Sequence, residues 1–191
     1  MASFVFTVDS ALLSELGEKL VANVHVALTE LVKNAYDADA KTASVTIQPQ
    51  ENRGPKIRIK DDGIGMTRKQ VIDFWMKIGT ANKVAAPRSE LYGRPKTGAK
   101  GIGRFCCRRL GRKLKLTTCA LVVRLNKKGK EVSRSYETTI IDFDWDRFEP
   151  GKDVEDVVLT GQTNRYADGQ VGTILEIWDA PLDEWQQRGF N

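Results

Sequence analysis

Apolar residues recur at three- and four-residue spacing along residues 21–38, which predicts an amphipathic helix. Its predicted buried face comprises Val24, Ala27, Leu28, Leu31 and Ala35. The opposite stripe carries Glu30, Asn34 and Asp37. Carboxylate and amide oxygens suit a hard cation and an activated water, although the same residue types are common on solvated helices.

Shorter alternating patterns predict a sheet and a few further helices around this long helix. The predicted strands are residues 4–8, 44–48, 57–59, 114–120, 121–125, 132–141 and 171–177. The further predicted helices are residues 11–20, 68–76, 106–110 and 181–188. Residues 145–163 show no sustained period, and we expect an irregular connection there.

The strand at 57–59 runs into a sequence that combines acids with closely spaced glycines. Asp61 and Asp62 precede Gly63 and Gly65, and Met66 follows. Glycines directly after a strand permit a tight turn and a close approach of the backbone to a ligand, while an acid at the strand end accepts hydrogen bonds. A plain Asp-Gly turn is the alternative interpretation.

Residues 79–103 follow neither a helical nor a strand period, and this predicts a long loop, which in a compact domain is usually functional or disordered. The loop ends in a group of glycines with a lysine and an isoleucine: Gly98, Lys100, Gly101, Ile102 and Gly103. Glycines and a lysine ahead of a helix N-terminus favour phosphate binding through backbone N–H groups. The spacing is neither that of a P-loop nor that of a dinucleotide-binding Rossmann motif.

Composition narrows the class of protein without defining the chemistry. The chain has 191 residues, 41% of them hydrophobic and 29% charged, which fits one soluble domain. No apolar run approaches the roughly 20 residues that a membrane span requires. Cys106, Cys107 and Cys119 are odd in number and lack a metal or redox spacing, so we expect reduced thiols in a cytoplasmic protein.

The net charge of +5 originates in one segment. Residues 83–113 hold ten Lys or Arg and one acid, so the rest of the chain holds twenty basic and twenty-four acidic residues. Such a segment favours either a phosphate-binding loop or a nucleic-acid surface.

Taken in order, the motifs resemble those of the GHKL ATPase superfamily, which includes DNA gyrase, the ninety-kilodalton heat-shock chaperone, histidine kinases and mismatch-repair ATPases. The motifs are Glu30 and Asn34 on a helix, Asp61 with its glycines after a strand, the glycine-rich loop end, and a late strand beginning with Gly172 and Thr173. The resemblance covers residues 4–177. It implies an α+β fold, a two-layer sandwich of Bergerat type whose mixed, mostly antiparallel sheet is covered on one face by helices.

The resemblance also implies roles for individual residues. Glu30 would be the general base, Asn34 would hold Mg²⁺, Asp61 would accept the adenine amino group, and Thr173 would support the adenine pocket. The other implied nucleotide contacts are Asp37, Gly63, Gly65, Met66, Asn82, Lys83, Gly98, Lys100, Gly101, Ile102 and Gly103. Asp37 is implied only as a structural or water-binding acid. The cofactors implied are ATP and Mg²⁺.

The expected function is that of a Mg²⁺-dependent ATPase domain whose lid, at about residues 79–103, closes on ATP and whose dimerisation drives a larger machine. Residues 75–83 and 100–105 are most similar to bacterial multidomain ATPases of the heat-shock-90-like branch. We therefore expect residues 1–191 to be one domain of a longer protein, completed by a C-terminal domain or a partner. Two alternatives stay open: a non-catalytic nucleotide-gated interaction module, and a nucleic-acid-binding protein that uses residues 83–113.

Overall fold

The fold is described from a computed structural model of the chain. The structure describes residues 8–10, 12, 23–77, 86–97, 105–180 and 185. The predicted first strand, apart from Val8, and the predicted helices at 11–20 and 181–188, apart from Leu12 and Trp185, lie outside the described residues. Most of the predicted lid lies outside them as well.

Six strands form one sheet, and every pair of neighbouring described strands is antiparallel. The strands are β1 (Ala43–Gln50), β2 (Arg53–Asp61), β3 (Lys113–Leu125), β4 (Glu131–Asp144), β5 (Thr160–Tyr166) and β6 (Gly172–Trp178). Their order across the sheet is β1-β2-β6-β3-β4-β5. The predicted mostly antiparallel α+β sandwich is confirmed, and the hairpin expected between the strands at 44–48 and 57–59 is β1 with β2.

The helices of the described residues are one long helix and two short ones. They are α1 (Val24–Asp37), α2 (Arg68–Gln70), which continues into a π-helical turn at Val71–Trp75, and α3 (Cys106–Leu110). Helix α1 begins later than predicted because the Asn23 side chain caps it by accepting a hydrogen bond from Val26 N at 3.0 Å.

Two predictions on the sheet were wrong. The strands predicted at 114–120 and 121–125 are one continuous strand, β3. The connection predicted to be irregular contains 3-10 turns at Trp145–Arg147 and Val154–Asp156 and most of β5. Strand β5 escaped detection because it is an exposed, polar edge strand that pairs with β4 through backbone hydrogen bonds and so needs no apolar alternation.

The core lies between α1 and one face of the sheet, which we call the covered face. The predicted apolar stripe of α1 is largely confirmed, since Val24, Ala27, Leu31 and Ala35 are buried and Leu28 packs against the core. Burying a leucine side chain such as that of Leu31 contributes about 1.5–3 kcal/mol. Helix α3 packs against α1 and so joins this core.

The covered face changes from apolar to polar along the strands. Residues directly opposite one another in antiparallel strands place their side chains on the same face of the sheet. A buried apolar row crosses four strands at Ile57, Ile177, Leu114 and Phe143. Four residues further along, the row that we call the polar row crosses five strands at Asp61, Thr173, Thr118, Thr139 and Thr163.

Gly65 offers a stability test of how closely the loop after β2 packs on the sheet. It has φ +65°, and a Cβ there would lie 1.9 Å from Cys119 O. Gly129, in the β3–β4 turn, has φ +75° with open space around it. We expect Gly129→Ala to cost about 1–2 kcal/mol, from backbone strain alone.

We expect Gly65→Ala to cost about 3 kcal/mol or more in urea-denaturation measurements, because overpacking adds to the same strain. Equal costs for the two substitutions would contradict the close packing of Gly65 on β3.

Candidate functional site

The carboxylate of Asp61 stands at the end of β2, at one end of the polar row. Its Oδ1 atom accepts hydrogen bonds from Gly63 N at 2.9 Å and Thr173 N at 3.2 Å. Burial raises the pKa of Asp61 above its ordinary value of 3.8, although these two hydrogen bonds act in the opposite direction. The end of β2 therefore keeps an acid partly desolvated, with one oxygen fixed by the backbone.

The two glycines after Asp61 bring three elements into contact. A Cβ at Gly63 would lie 2.6 Å from Ala38 O, just beyond α1, and Ile64 N donates to the same oxygen at 2.9 Å. Gly65 lies against the backbone of β3, as described above. These close approaches join the end of α1, the loop after β2 and the middle of the sheet. The glycines therefore pack against protein backbone, and their predicted approach to a ligand stays a prediction.

Thr118 is a site residue that sequence reasoning missed. It is fully buried, and its Oγ1 atom accepts a hydrogen bond from Met66 N at 2.9 Å and lies 3.1 Å from the Thr173 hydroxyl. It thus links Met66 and Thr173, both of which were predicted to contact nucleotide. A signal was present, because Thr118 interrupts an alternating apolar run that includes Leu114 and Leu116.

Glu30 lies on a partly exposed side of α1, as predicted. Its carboxylate forms an ion pair with Lys33 at 2.8 Å, which the sequence interpretation did not include. Burial, together with the negative charge of Glu30, raises the pKa of the Cys106 thiol to about 11. Helix α3, which follows the predicted phosphate-binding glycines in sequence, packs against α1, the helix that bears Glu30.

Asn34 follows Glu30 by four residues and is also partly buried. The two side chains lie on the same side of α1, about 6 Å apart along its axis. No group of three or more His, Cys, Asp or Glu side chains among the described residues could hold a metal ion. A single amide oxygen fits Mg²⁺ of the kind that is bound mainly by substrate phosphates and water.

Asp37 is buried, in contrast to Glu30 and Asn34 on the same predicted stripe. Its Oδ1 atom accepts a hydrogen bond from Thr97 N at 2.8 Å and lies 3.1 Å from Thr97 Oγ1. Thr97 immediately precedes the glycines predicted to hold phosphate. Asp37 thus fixes Thr97 to the end of α1.

Asp39 is a second residue that sequence reasoning missed. It takes the left-handed conformation with φ 62°, and the chain around it closes α1 with hydrogen bonds from Asp39 N to Tyr36 O and from Ala40 N to Ala35 O. Its buried carboxylate accepts hydrogen bonds from Leu91 N at 2.7 Å and from Tyr92 N at 3.3 Å.

Burial alone would raise the pKa of Asp39, but hydrogen bonds from Ser89 and from the backbone outweigh it and hold the pKa below 3.8. The charge of Arg94 acts in the same direction. An ionised carboxylate therefore anchors residues 89–94 to the end of α1. The sequence signal was the end of a predicted helix without the glycine that usually takes the left-handed conformation there; Asp39 takes it instead.

Some basic side chains of residues 83–113 are bonded to other groups within the fold. The guanidinium of Arg94 donates to Ala40 O at 2.7 Å and lies over the rings of Tyr36 and Tyr92, at 5.0 and 4.7 Å from their centroids. Arg88 donates to Gly93 O at 2.8 Å, and Lys113 pairs with Asp144 at 2.6 Å. Fewer than the ten Lys or Arg side chains of residues 83–113 are therefore available for a nucleic-acid surface.

Glu137, on β4, supports the loop that follows β2. Its buried carboxylate accepts a hydrogen bond from Arg68 N at 2.7 Å and two from the guanidinium of Arg165, at 2.8 and 2.6 Å. The Arg68 N–H and the Arg165 pairing lower the pKa of Glu137 below its ordinary value of 4.5, against the opposing effect of burial. Thr118 and Glu137 together hold the backbone of residues 66–68.

The structure brings five of the predicted residues into one region: Asp61, Gly63, Gly65, Met66 and Thr173. Glu30, Asn34 and Asp37 lie on the helix that ends beside it. The remaining predicted contacts fall outside the described residues, namely Asn82, Lys83, Gly98, Lys100, Gly101, Ile102 and Gly103.

An antiparallel sheet covered on one face, with a partly desolvated acid and close-packed glycines beside the end of α1, defines an α+β sandwich domain. The sequence model of the family described as "Histidine kinase-, DNA gyrase B-, and HSP90-like ATPase" matches residues 22–157, more than two thirds of the chain. The chain belongs to this family of ATP-binding ATPase domains. Thr173 lies beyond the matched segment, and its pairing with Asp61 in the sheet places it next to that acid.

The chain is also similar to a protein described as "Putative type II restriction enzyme HgiDII" from Herpetosiphon aurantiacus, with 35% identity over 91 residues. The alignment covers 48% of this chain and 14% of that protein. The chain therefore spans about one seventh of that relative's length.

Among the residues that the structure describes, no helix combines the length and the apolar character needed to cross a membrane.

The lowered pKa of Glu137 predicts a pH-dependent contribution to stability. A carboxyl whose pKa is lower in the folded state stabilises the fold above its unfolded pKa of about 4.5, and the contribution is lost as pH falls through the folded pKa. We expect Glu137→Gln to cost about 1–2 kcal/mol at pH 7 in urea denaturation, with the difference from wild type shrinking below about pH 4.5.

Glu131→Gln is the matched control, because Glu131 pairs with Arg134 at an exposed position and such pairs contribute about 0–1 kcal/mol. A Glu137→Gln cost that stays constant from pH 7 to pH 3 would contradict the ionised anchor.

Proposed function

We propose that this domain binds ATP with the base at Asp61 and hydrolyses it with water activated by Glu30. The observation that carries the proposal is the contact between the end of α1 and the loop after Asp61, through Ala38 with Gly63 and Ile64. This contact brings the helix that bears Glu30 and Asn34 to the polar end of the sheet. Membership of the ATPase family supports ATP as the ligand.

The adenine end of the proposed site is the better defined. Asp61 keeps one oxygen on backbone N–H groups and would accept a hydrogen bond from the 6-amino group with the other. The glycines at 63 and 65 already pack against backbone, so the loop is held in place before a ligand arrives. Such preorganisation reduces the ordering cost of binding.

At the phosphate end, Glu30 would take the proton from the attacking water, and Asn34 would hold Mg²⁺. When bound, Mg²⁺ would neutralise charge on the phosphates. The packing of α3 against α1 supports this assignment, because α3 follows the proposed phosphate-binding segment in sequence. The proposed contacts from Asn82, Lys83 and residues 98–103 rest on the resemblance of their motif.

The anchoring of residues 86–97 supports a hinged lid. Asp37 holds Thr97, Asp39 holds Leu91 and Tyr92, and Arg94 returns to Ala40. We propose that residues 86–97, which lie within the predicted lid at about 79–103, stay fixed as its anchor while the rest of the lid closes over ATP. From the same family resemblance we propose that the domain forms a homodimer and that its ATP cycle drives a larger machine. We also propose a cytoplasmic location, which the free cysteines support.

The longer relative supports the proposal that the domain works within a multidomain protein. Because that relative's name describes a restriction enzyme, nucleic-acid binding is the second candidate function. The nucleic acid would be engaged by the larger assembly or by those basic side chains of residues 83–113 that the fold does not use.

The test of the proposed chemistry is a single-turnover ATPase assay with protein in excess, because hydrolysis by the domain alone is expected to be slow. We expect Glu30→Gln to lower the hydrolysis rate by about 10²–10⁴-fold, since general base catalysis supplies a factor of that size. Affinity for a non-hydrolysable ATP analogue should change by less than about threefold, which is under 0.7 kcal/mol.

Glu51→Gln, in the exposed turn between β1 and β2, is the control and should behave as wild type. Normal turnover by Glu30→Gln would exclude Glu30 as the base. A wild-type protein that binds the analogue but never hydrolyses ATP, even when dimeric, would favour the nucleotide-gated module instead.

A further inference from the structure

We propose that Thr118 is a positioning residue for base selection: its buried hydroxyl directs the Thr173 hydroxyl so that the pocket prefers adenine over guanine. The inference rests on the proposed function, since it concerns the base-binding end of that site. It adds to Asp61 a second determinant that lies one strand further into the sheet.

The hydrogen-bonding capacity of Thr118 carries the argument. A hydroxyl has one donor hydrogen and two acceptor lone pairs. Met66 N donates to Thr118 Oγ1 at 2.9 Å and occupies one lone pair. The hydrogen of Thr118 has two acceptors within reach, Thr173 Oγ1 at 3.1 Å and Gly172 O at 3.4 Å.

The 3.1 Å contact between the two hydroxyls fits either one as the donor. The proposal assigns the donor to Thr118, because Thr173 Oγ1 is the nearer of its two acceptors and hydroxyl hydrogen bonds weaken with distance. If Thr118 donates to Thr173, the hydrogen of Thr173 is left to point away from Thr118. Within the described residues, Thr118 is the only hydrogen-bond partner of the Thr173 hydroxyl.

Asp61 completes the pattern next to Thr173. Its Oδ1 atom is occupied by two backbone N–H groups, whereas Oδ2 accepts no hydrogen bond from the described residues. The pocket therefore offers an acceptor at Asp61 and, beside it, a donor at Thr173. Adenine presents a donor at its 6-amino group and an acceptor at N1, whereas guanine presents an acceptor and a donor at those positions.

Thr139 is a buried threonine of the polar row whose hydroxyl does not bond to Thr173. It is directly opposite Thr118 in β4 and is 3% exposed, but its hydroxyl bonds to Thr163 at 3.1 Å, on the side away from Thr173. It therefore serves as a matched control for the removal of a buried threonine hydroxyl from the polar row.

The experiment is calorimetric titration of non-hydrolysable ATP and GTP analogues into the wild-type protein and three variants. The wild type should prefer the ATP analogue. Thr118→Val removes the hydroxyl at nearly constant volume and should reduce the ratio of the two affinities by at least about tenfold. Thr118→Ser should restore the ratio to within about threefold of wild type, and Thr139→Val should leave it unchanged while lowering the melting temperature.

A ratio that Thr118→Val leaves unchanged, even with both affinities reduced, would show that Thr118 only supports the Met66 loop and would overturn the inference. If the valine variant does not fold, Thr118→Ala applies the same criterion. A wild-type protein that binds neither analogue would refute the proposed function, whereas ATP binding with an unchanged ratio refutes this inference alone.

Discussion

The antiparallel register of β2, β6 and β3 is the constraint on which the candidate site depends. It sets Asp61 opposite Thr173, and Thr173 opposite Thr118. A slip by one residue would turn every side chain of a strand to the other face of the sheet, so that Lys60 or Asp62 would replace Asp61 in the pocket. The buried apolar rows on the same strands oppose such a slip, and the core thereby fixes the geometry of the polar row.

The site lies where the sheet can tolerate polar groups. The covered face is apolar beneath most of α1 and becomes polar where the helix ends, at Ala38 and Asp39. Since burial raises the pKa of Asp61, the folded state takes up a proton more readily than the unfolded state does. Stability of the ligand-free fold therefore decreases as pH rises through the raised pKa, and the ionised acid costs stability at higher pH. A ligand that donates a hydrogen bond to Asp61 offsets this cost.

Much of this arrangement follows from local sequence. Helical periodicity located α1 and its buried face, and alternation located all but one of the described strands. The glycine spacing after Asp61 predicted a tight turn and a close backbone approach to a ligand, whereas the contacts that Gly63 and Gly65 make in the fold are to the backbone of Ala38 and Cys119.

Other parts depend on contacts between residues that are distant in sequence. Strand β5 has no apolar alternation because it is a polar edge strand. Thr118 becomes a site residue only through its register with Thr173, and Asp37 meets Thr97 sixty positions away. Asp39 both ends α1 and anchors residues 91 and 92. The first role is local, whereas the second depends on contacts that only the folded chain brings together. Sequence periodicity specifies faces and element types, whereas such pairings are set by the assembled sheet.

The most direct measurement is calorimetric titration of a non-hydrolysable ATP analogue with Mg²⁺ into wild type, Asp61→Asn and Asp62→Asn. Asp62 is a matched neighbour whose carboxylate accepts hydrogen bonds from Lys41 N and Thr42 N instead. We expect one site in wild type, retention of affinity in Asp62→Asn, and a loss of about tenfold or more in Asp61→Asn, because a hydrogen bond to a charged acceptor contributes about 1.5–3 kcal/mol. Equal affinities in wild type and Asp61→Asn, or no binding by wild type, would contradict a nucleotide site organised around Asp61.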